Sequence, residues 1–127
     1  MIVPDTSFLV SLYFSSDINH QQALKLAEEN KNEIMLLSDI ILFETLTVLL
    51  YKEGLQLCNI VYNHLMQNKN VRFFHFTDQE KDEIIKVFFS QTNSKLSLPD
   101  ISVLYLTNKS KSKVLAFDED ILNKIKT

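Results

Sequence analysis

Residues 1–10 read MIVPDTSFLV. An apolar run closes on Pro4 and meets a carboxylate, Asp5, with no loop between them. Residues 5–14 then take up a helical pattern with Phe8, Leu9 and Leu12 on one side, so the stretch predicts a short buried strand feeding a helix. The charge stands where the chain should be entering its core.

No internal repeat is evident, but strands and helices alternate along the rest of the chain. EIMLLS (33–38), VRFFHF (71–76) and KVLAF (113–117) are further apolar strands. Helical patterns fill the spaces between them: one begins at a cap near Asp17 and fades by residue 30, and the next covers 39–54 with Gly54 at its C′ position. A third runs from 55 to 68. TDQE (77–80) is a capping box that opens a helix carrying Ile84, Ile85 and Phe88. A further helix has Pro99 at its first position, where a missing N–H costs nothing, and DEDILNKIK (118–126) forms the last. Uniformly apolar strands separated by helices predict an α/β fold with a parallel sheet covered on both faces.

Composition narrows the function classes. A chain of 127 residues, 46% hydrophobic, fits one domain over residues 1–127, and one glycine with two prolines leaves no linker. The net charge of −3 argues against a surface coated in nucleic acid and leaves room only for a local basic strip. Cys58 is the single cysteine, so no internal disulfide forms and a reducing, cytoplasmic setting is expected. The longest apolar stretch, 40–51, is interrupted by Glu44, Thr45 and Thr47 and falls short of the roughly 20 residues that span a bilayer. No membrane association and no secretory signal are expected. With Gly54 the only glycine, phosphate-loop and dinucleotide fingerprints are excluded.

His20, His64 and His75 lack ligand-like spacing, and Cys58 lies on an apolar stripe, so all four read as core or surface. The Tyr and Phe stripes read as core. Lys109, Lys111 and Lys113, with Lys124 and Lys126 near the end, read either as a solvated surface or as a guide for a nucleic-acid backbone.

Four acids stand apart. In open α/β sheets functional groups gather beyond the carboxyl ends of the strands. Asp5 ends the first strand, Asp118 ends the fourth, and Asp100 lies in the first turn of the helix leading to the fourth. Each of these is equally suited to capping a helix N-terminus. Glu44 has no such role, for it stands well inside IILFETLTVLL (40–50), where a lone carboxylate needs a partner or solvent. Four carboxylates brought together repel one another, and a hard divalent cation with oxygen ligands, Mg²⁺ or Mn²⁺, resolves the repulsion.

VPDTSFL (3–9), Glu44 in its apolar helix, LPDISVLYL (98–106) and LAFDEDI (115–121) together resemble the PIN-domain ribonucleases, in particular the short VapC-type toxins of toxin–antitoxin pairs. The likeness spans the whole chain in order and spacing. It implies a three-layer α/β/α fold with a central parallel sheet of four or five strands, one or two Mg²⁺ or Mn²⁺ ions, and hydrolysis of single-stranded RNA. It also implies a cognate antitoxin and a homodimer. By position, Asp5, Glu44, Asp100 and Asp118 form the implied catalytic and metal-binding acids, with Ser7 and Asp120 as supporting residues. Two places depart from the family pattern: Ala116 stands where a Thr or Ser is frequent, and Ile101 where Ala is frequent. Neither removes a carboxylate. The rival readings are a solitary PIN nuclease of RNA processing, a non-catalytic α/β binding module in which the acids are caps, and a phospho-accepting domain.

Overall fold

In a computed structural model, residues 1–126 are described, with side chains through residue 124. Strand β1 (Ile2–Pro4) is followed by α1 (Thr6–Tyr13), α2 (His20–Glu29), β2 (Met35–Ser38), α3 (Asp39–Lys52) and α4 (Leu55–Gln67). Then come β3 (Val71–Phe74), α5 (Asp78–Phe89), α6 (Leu98–Ser110), β4 (Lys113–Leu115) and α7 (Glu119–Lys126). The four strands form one parallel sheet in the order β3-β2-β1-β4, flanked by the helices.

That order places the functional crevice. From β1 the chain steps outward through β2 to β3, then α5 and α6 carry it back so that β4 lands on the other side of β1. The switch point therefore lies between β1 and β4, and ligands bind at such points in open α/β sheets. Val3 pairs with Val114 and Pro4 with Leu115, and the Asp5 amide donates to the Leu115 carbonyl at 3.0 Å. Asp5 is thus aimed by the last backbone hydrogen bond of the ladder. Beneath it Val3, Phe8, Leu9, Leu37 and Leu49 are almost completely buried. Deleting any one of their side chains would open a cavity worth about 2–5 kcal/mol.

Several local expectations need correction. The second helix starts at His20, not at Asp17, whose carboxylate instead accepts from Ser11 Oγ and the Asn19 amide, both at 2.8 Å, and so holds the turn before the helix. Pro99 is the second residue of α6, because Leu98 is already helical and Ser97 is the cap. β4 stops at Leu115, two residues short of KVLAF, because the Phe117 amide turns to the Ser7 hydroxyl. The aromatic residues are only partly core: Phe8 and Phe76 are buried, while Phe43, Tyr51 and Phe89 are exposed. On α3 the residues Ile41, Leu42, Thr45 and Leu49 fill the inner face, so an equally apolar outer face is left outside. The capping box at 77–80 forms as read, with Thr77 Oγ1 accepting from the Glu80 amide at 3.1 Å and Glu80 Oε1 from the Thr77 amide at 2.8 Å. Among the described residues no helix is long and apolar enough to cross a membrane.

Candidate functional site

Asp5, Glu44, Asp100 and Asp118 line a single cleft of about 450 Å³, with Ser7 on the same wall. Four separate elements bring them there: Asp5 follows β1, Glu44 lies on α3, Asp100 sits in the first turn of α6, and Asp118 precedes α7. Three of them also bind backbone amides at helix N-termini, Asp5 and Asp118 as caps and Asp100 within a capping box. Asp5 Oδ1 accepts from the Phe8 amide at 2.9 Å, Asp118 Oδ1 from the amides of Asp120 at 2.9 Å and Ile121 at 3.3 Å. Asp100 Oδ2 accepts from the Ser97 amide at 3.0 Å, and Ser97 Oγ accepts from the Asp100 amide at 3.2 Å, a second capping box.

Capping occupies only part of each carboxylate. Among the described residues Asp100 Oδ1, Asp118 Oδ2 and Glu44 Oε2 accept no hydrogen bond. Glu44 is held instead by the Thr6 hydroxyl, which donates to its Oε1 across the gap between α1 and α3. In Asp100, Asp118 and Glu44 one oxygen is thus held by the fold while the other remains for the cleft.

Asp5 is the buried member, only 3% exposed. Burial pushes its carboxyl up to about 6, against the pull of the Phe8 amide and the Ser7 hydroxyl, and the charges of Asp118 and Asp100 push it further. The Ser7 hydroxyl lies 2.7 Å and 2.9 Å from the two Asp5 oxygens and accepts from the Phe117 amide at 2.9 Å. Asp120 reaches the cleft through its amide on Asp118, while its side chain lines a neighbouring hollow with Lys95 and Asn123.

The donor set is entirely hard oxygen, with no imidazole or thiolate among the lining residues. This suits Mg²⁺ or Mn²⁺ and disfavours zinc. Among the described residues no three His, Cys, Asp or Glu side chains stand close enough to enclose an ion by themselves.

A PIN domain matches residues 2–126, nearly the whole chain. The chain belongs to the PIN-domain family. Among solved structures it is similar to Mycobacterium tuberculosis VapC20, a sarcin-ricin loop cleaving toxin, with a TM-score of 0.88 at 23% identity over 98% of this chain and 95% of that one. At that identity the likeness is one of fold. No curated protein matches the chain.

Within this PIN domain some lining residues carried no sequence signal as site residues. Asp17 lines the cleft with Ser11 and Asn19, although locally it reads as a helix start. Thr6 bears no local mark of a site residue, since only the tertiary fold puts Glu44 within its reach. Ser97 does carry a signal, for SLPD (97–100) has a capping-box pattern with Asp in place of Glu.

Proposed function

We propose that this chain is a metal-dependent endoribonuclease that hydrolyses single-stranded RNA as the toxin of a toxin–antitoxin pair. One observation carries the reading: four carboxylates from four distant parts of a PIN domain line one cleft at the switch point of the sheet. The likeness in fold to a sarcin-ricin loop cleaving toxin supports it.

Asp5, Glu44, Asp100 and Asp118 would hold Mg²⁺ or Mn²⁺, as one ion or two. When bound, such an ion neutralises charge on phosphoryl oxygens and lowers the pKa of a nearby water. The chain's own contribution is orientation. Ser7 fixes Asp5, Thr6 fixes Glu44, Ser97 fixes Asp100 and the first amides of α7 fix Asp118. Asp5 supplies charge that burial has left poorly compensated, and a cation relieves it. Water attacks phosphorus in line and the P–O3′ bond breaks, leaving a 3′-hydroxyl and a 5′-phosphate.

The outer face of α3 and the start of α4 expose Phe43, Leu50, Tyr51 and Leu55. An apolar patch of this kind supports a homodimer and a seat for the antitoxin. The lone Cys58 supports a reducing, cytoplasmic setting.

The deciding experiment is cleavage of end-labelled RNA by the wild type and by Asp100→Asn, with Mg²⁺, Mn²⁺ or EDTA. The proposal expects cleavage that EDTA abolishes and that Asp100→Asn loses with its fold intact. Activity in EDTA, or products ending in 2′,3′-cyclic phosphate, would overturn it. Light scattering of wild type against Tyr51→Glu tests the dimer, which the variant should dissociate.

A further inference from the structure

An acidic cleft in a chain of net charge −3 is a poor holder of a polyanion unless positive charge lies along the strand's path. Lys109 does not supply it, because it is committed to Glu80 across α5 and α6. Lys95, Lys111 and Lys124 converge elsewhere, from three different elements. They stand around two adjoining hollows, of about 1140 Å³ and 510 Å³, which share Asn93, Ser94, Leu96 and Lys124. Lys111 lines the larger hollow and Lys95 the smaller. Among the described residues neither Lys95 nor Lys111 makes an ion pair.

The rim between the hollows is built rather than loose. The Gln91 side chain staples the 90–97 connection: Oε1 accepts from Ser94 Oγ at 2.8 Å and the Leu96 amide at 2.9 Å, while Nε2 donates to the carbonyls of Phe88 and Leu96, both at 3.0 Å. The next residue, Ser97, lines the acid cleft and caps Asp100. On the opposite side Asp120, two residues after Asp118, lines the smaller hollow. The acid cleft and the hollows therefore adjoin along residues 96–97 and 118–120. Lys111 is set at its edge by a left-handed backbone, φ 52°, that ends α6.

We propose that these two hollows form the continuation of the RNA track, with Lys95 and Lys111 taking phosphates of the strand that flanks the scissile bond. The proposal rests on the nuclease reading above. Lysines act here as point charges on a flexible backbone, and the amides and hydroxyls of Thr92, Asn93 and Ser112 suit ribose hydroxyls and base edges of unpaired RNA. The site would give affinity and reach, with little discrimination among bases.

The test compares wild type, Lys95→Gln/Lys111→Gln and the charge-preserving Lys95→Arg/Lys111→Arg in full-length protein. Binding of a fluorescent RNA oligonucleotide is measured at several salt concentrations, and cleavage of the same RNA and of a dinucleotide is measured in parallel. Each lost phosphate contact should lower the slope of log K against log salt by about 0.7 and weaken binding about fivefold at 0.1 M salt. The double Gln variant should thus raise KM for the oligonucleotide by roughly 25-fold, with kcat and dinucleotide cleavage unchanged and the Arg variant near wild type. A wild-type slope and KM in the Gln variant would overturn the track while leaving the nuclease reading intact. Absence of cleavage by the wild type would instead overturn the nuclease reading. If the Gln variant loses affinity for a poly-glutamate peptide but not for RNA, the hollows serve an acidic protein segment and the track is refuted.

Discussion

The Ser7 hydroxyl stands 2.9 Å from the amide nitrogen of Phe117, a residue 110 positions further along the chain, and accepts its hydrogen. The same oxygen donates to Asp5, so one small side chain joins the turn after β1 to the turn after β4. Ser7→Ala would leave the Phe117 N–H and a buried carboxylate each short of a partner. A loss of about 1–3 kcal/mol is expected in urea unfolding at neutral pH. Ser7→Thr should recover much of it, and an alanine variant with the wild-type midpoint would show that the link carries no stability.

Asp5 makes stability depend on pH in a stated direction. Its carboxyl is raised from 3.8 to about 6 in the folded chain, so the native state holds this proton more tightly than the unfolded state does. The group's contribution is most favourable below pH 4 and is lost as pH rises through 6. Asp5→Asn escapes that cost and should stabilise the metal-free protein by about 1–3 kcal/mol at pH 8, while losing activity. Because protons and cations compete for the same carboxylate, the rise in melting temperature caused by millimolar Mg²⁺ should shrink between pH 7 and pH 5. Thermal unfolding with Mg²⁺ or EDTA at both pH values checks each point.

Thr6 holds Glu44 across α1 and α3. Thr6→Val keeps the shape of the side chain and removes the donor, freeing the carboxylate to rotate. Outer partners of metal ligands typically contribute 10- to 100-fold in affinity, and a loss of about tenfold for Mn²⁺ is expected by calorimetry. The melting temperature of the metal-free protein should move little, since Glu44 gains access to solvent.

Lys109 is a structural cation. Its ammonium pairs with Glu80, and that bond holds the Glu80 carboxyl below its usual range, together with the Thr77 amide. A depressed carboxylate stabilises the fold above its ordinary pKa and loses that effect as pH falls through the folded value. Lys109→Met should therefore lower the melting temperature at pH 7, with the difference from wild type vanishing in acid. RNA affinity and its salt slope should stay at wild-type values, in contrast to the Lys95 and Lys111 substitutions.

Much of this was legible in the chain itself. Apolar runs of strand length alternating with helical periods specify a parallel sheet, because neither element can bury its apolar face alone. TDQE forms the capping box it spells, and Pro4 ends β1. Other features depend on distant residues. Asp17 reads locally as a helix start, yet Ser11 and Asn19 draw its carboxylate into the cleft wall. KVLAF reads as five strand residues, but the Ser7 hydroxyl claims the Phe117 amide and ends the strand early. Phe43 and Tyr51 read as core because hydrophobicity alone does not say which face of a uniformly apolar helix is left outside.

By itself the sequence determined the fold class, which follows from local periodicity, and it singled out the four acids, two at strand ends, one in a helix's first turn and one inside an apolar helix. Only the tertiary structure decided that β4 returns beside β1, and this creates the crevice where Asp5 and Asp118 meet Glu44 and Asp100. It also decided that Lys109 pairs with Glu80 while Lys95 and Lys111 lie along the hollows. The reason is physical: a hydrogen bond or an ion pair depends on distance in space, and residues as far apart as Ser7 and Phe117 come within reach only once the sheet has closed.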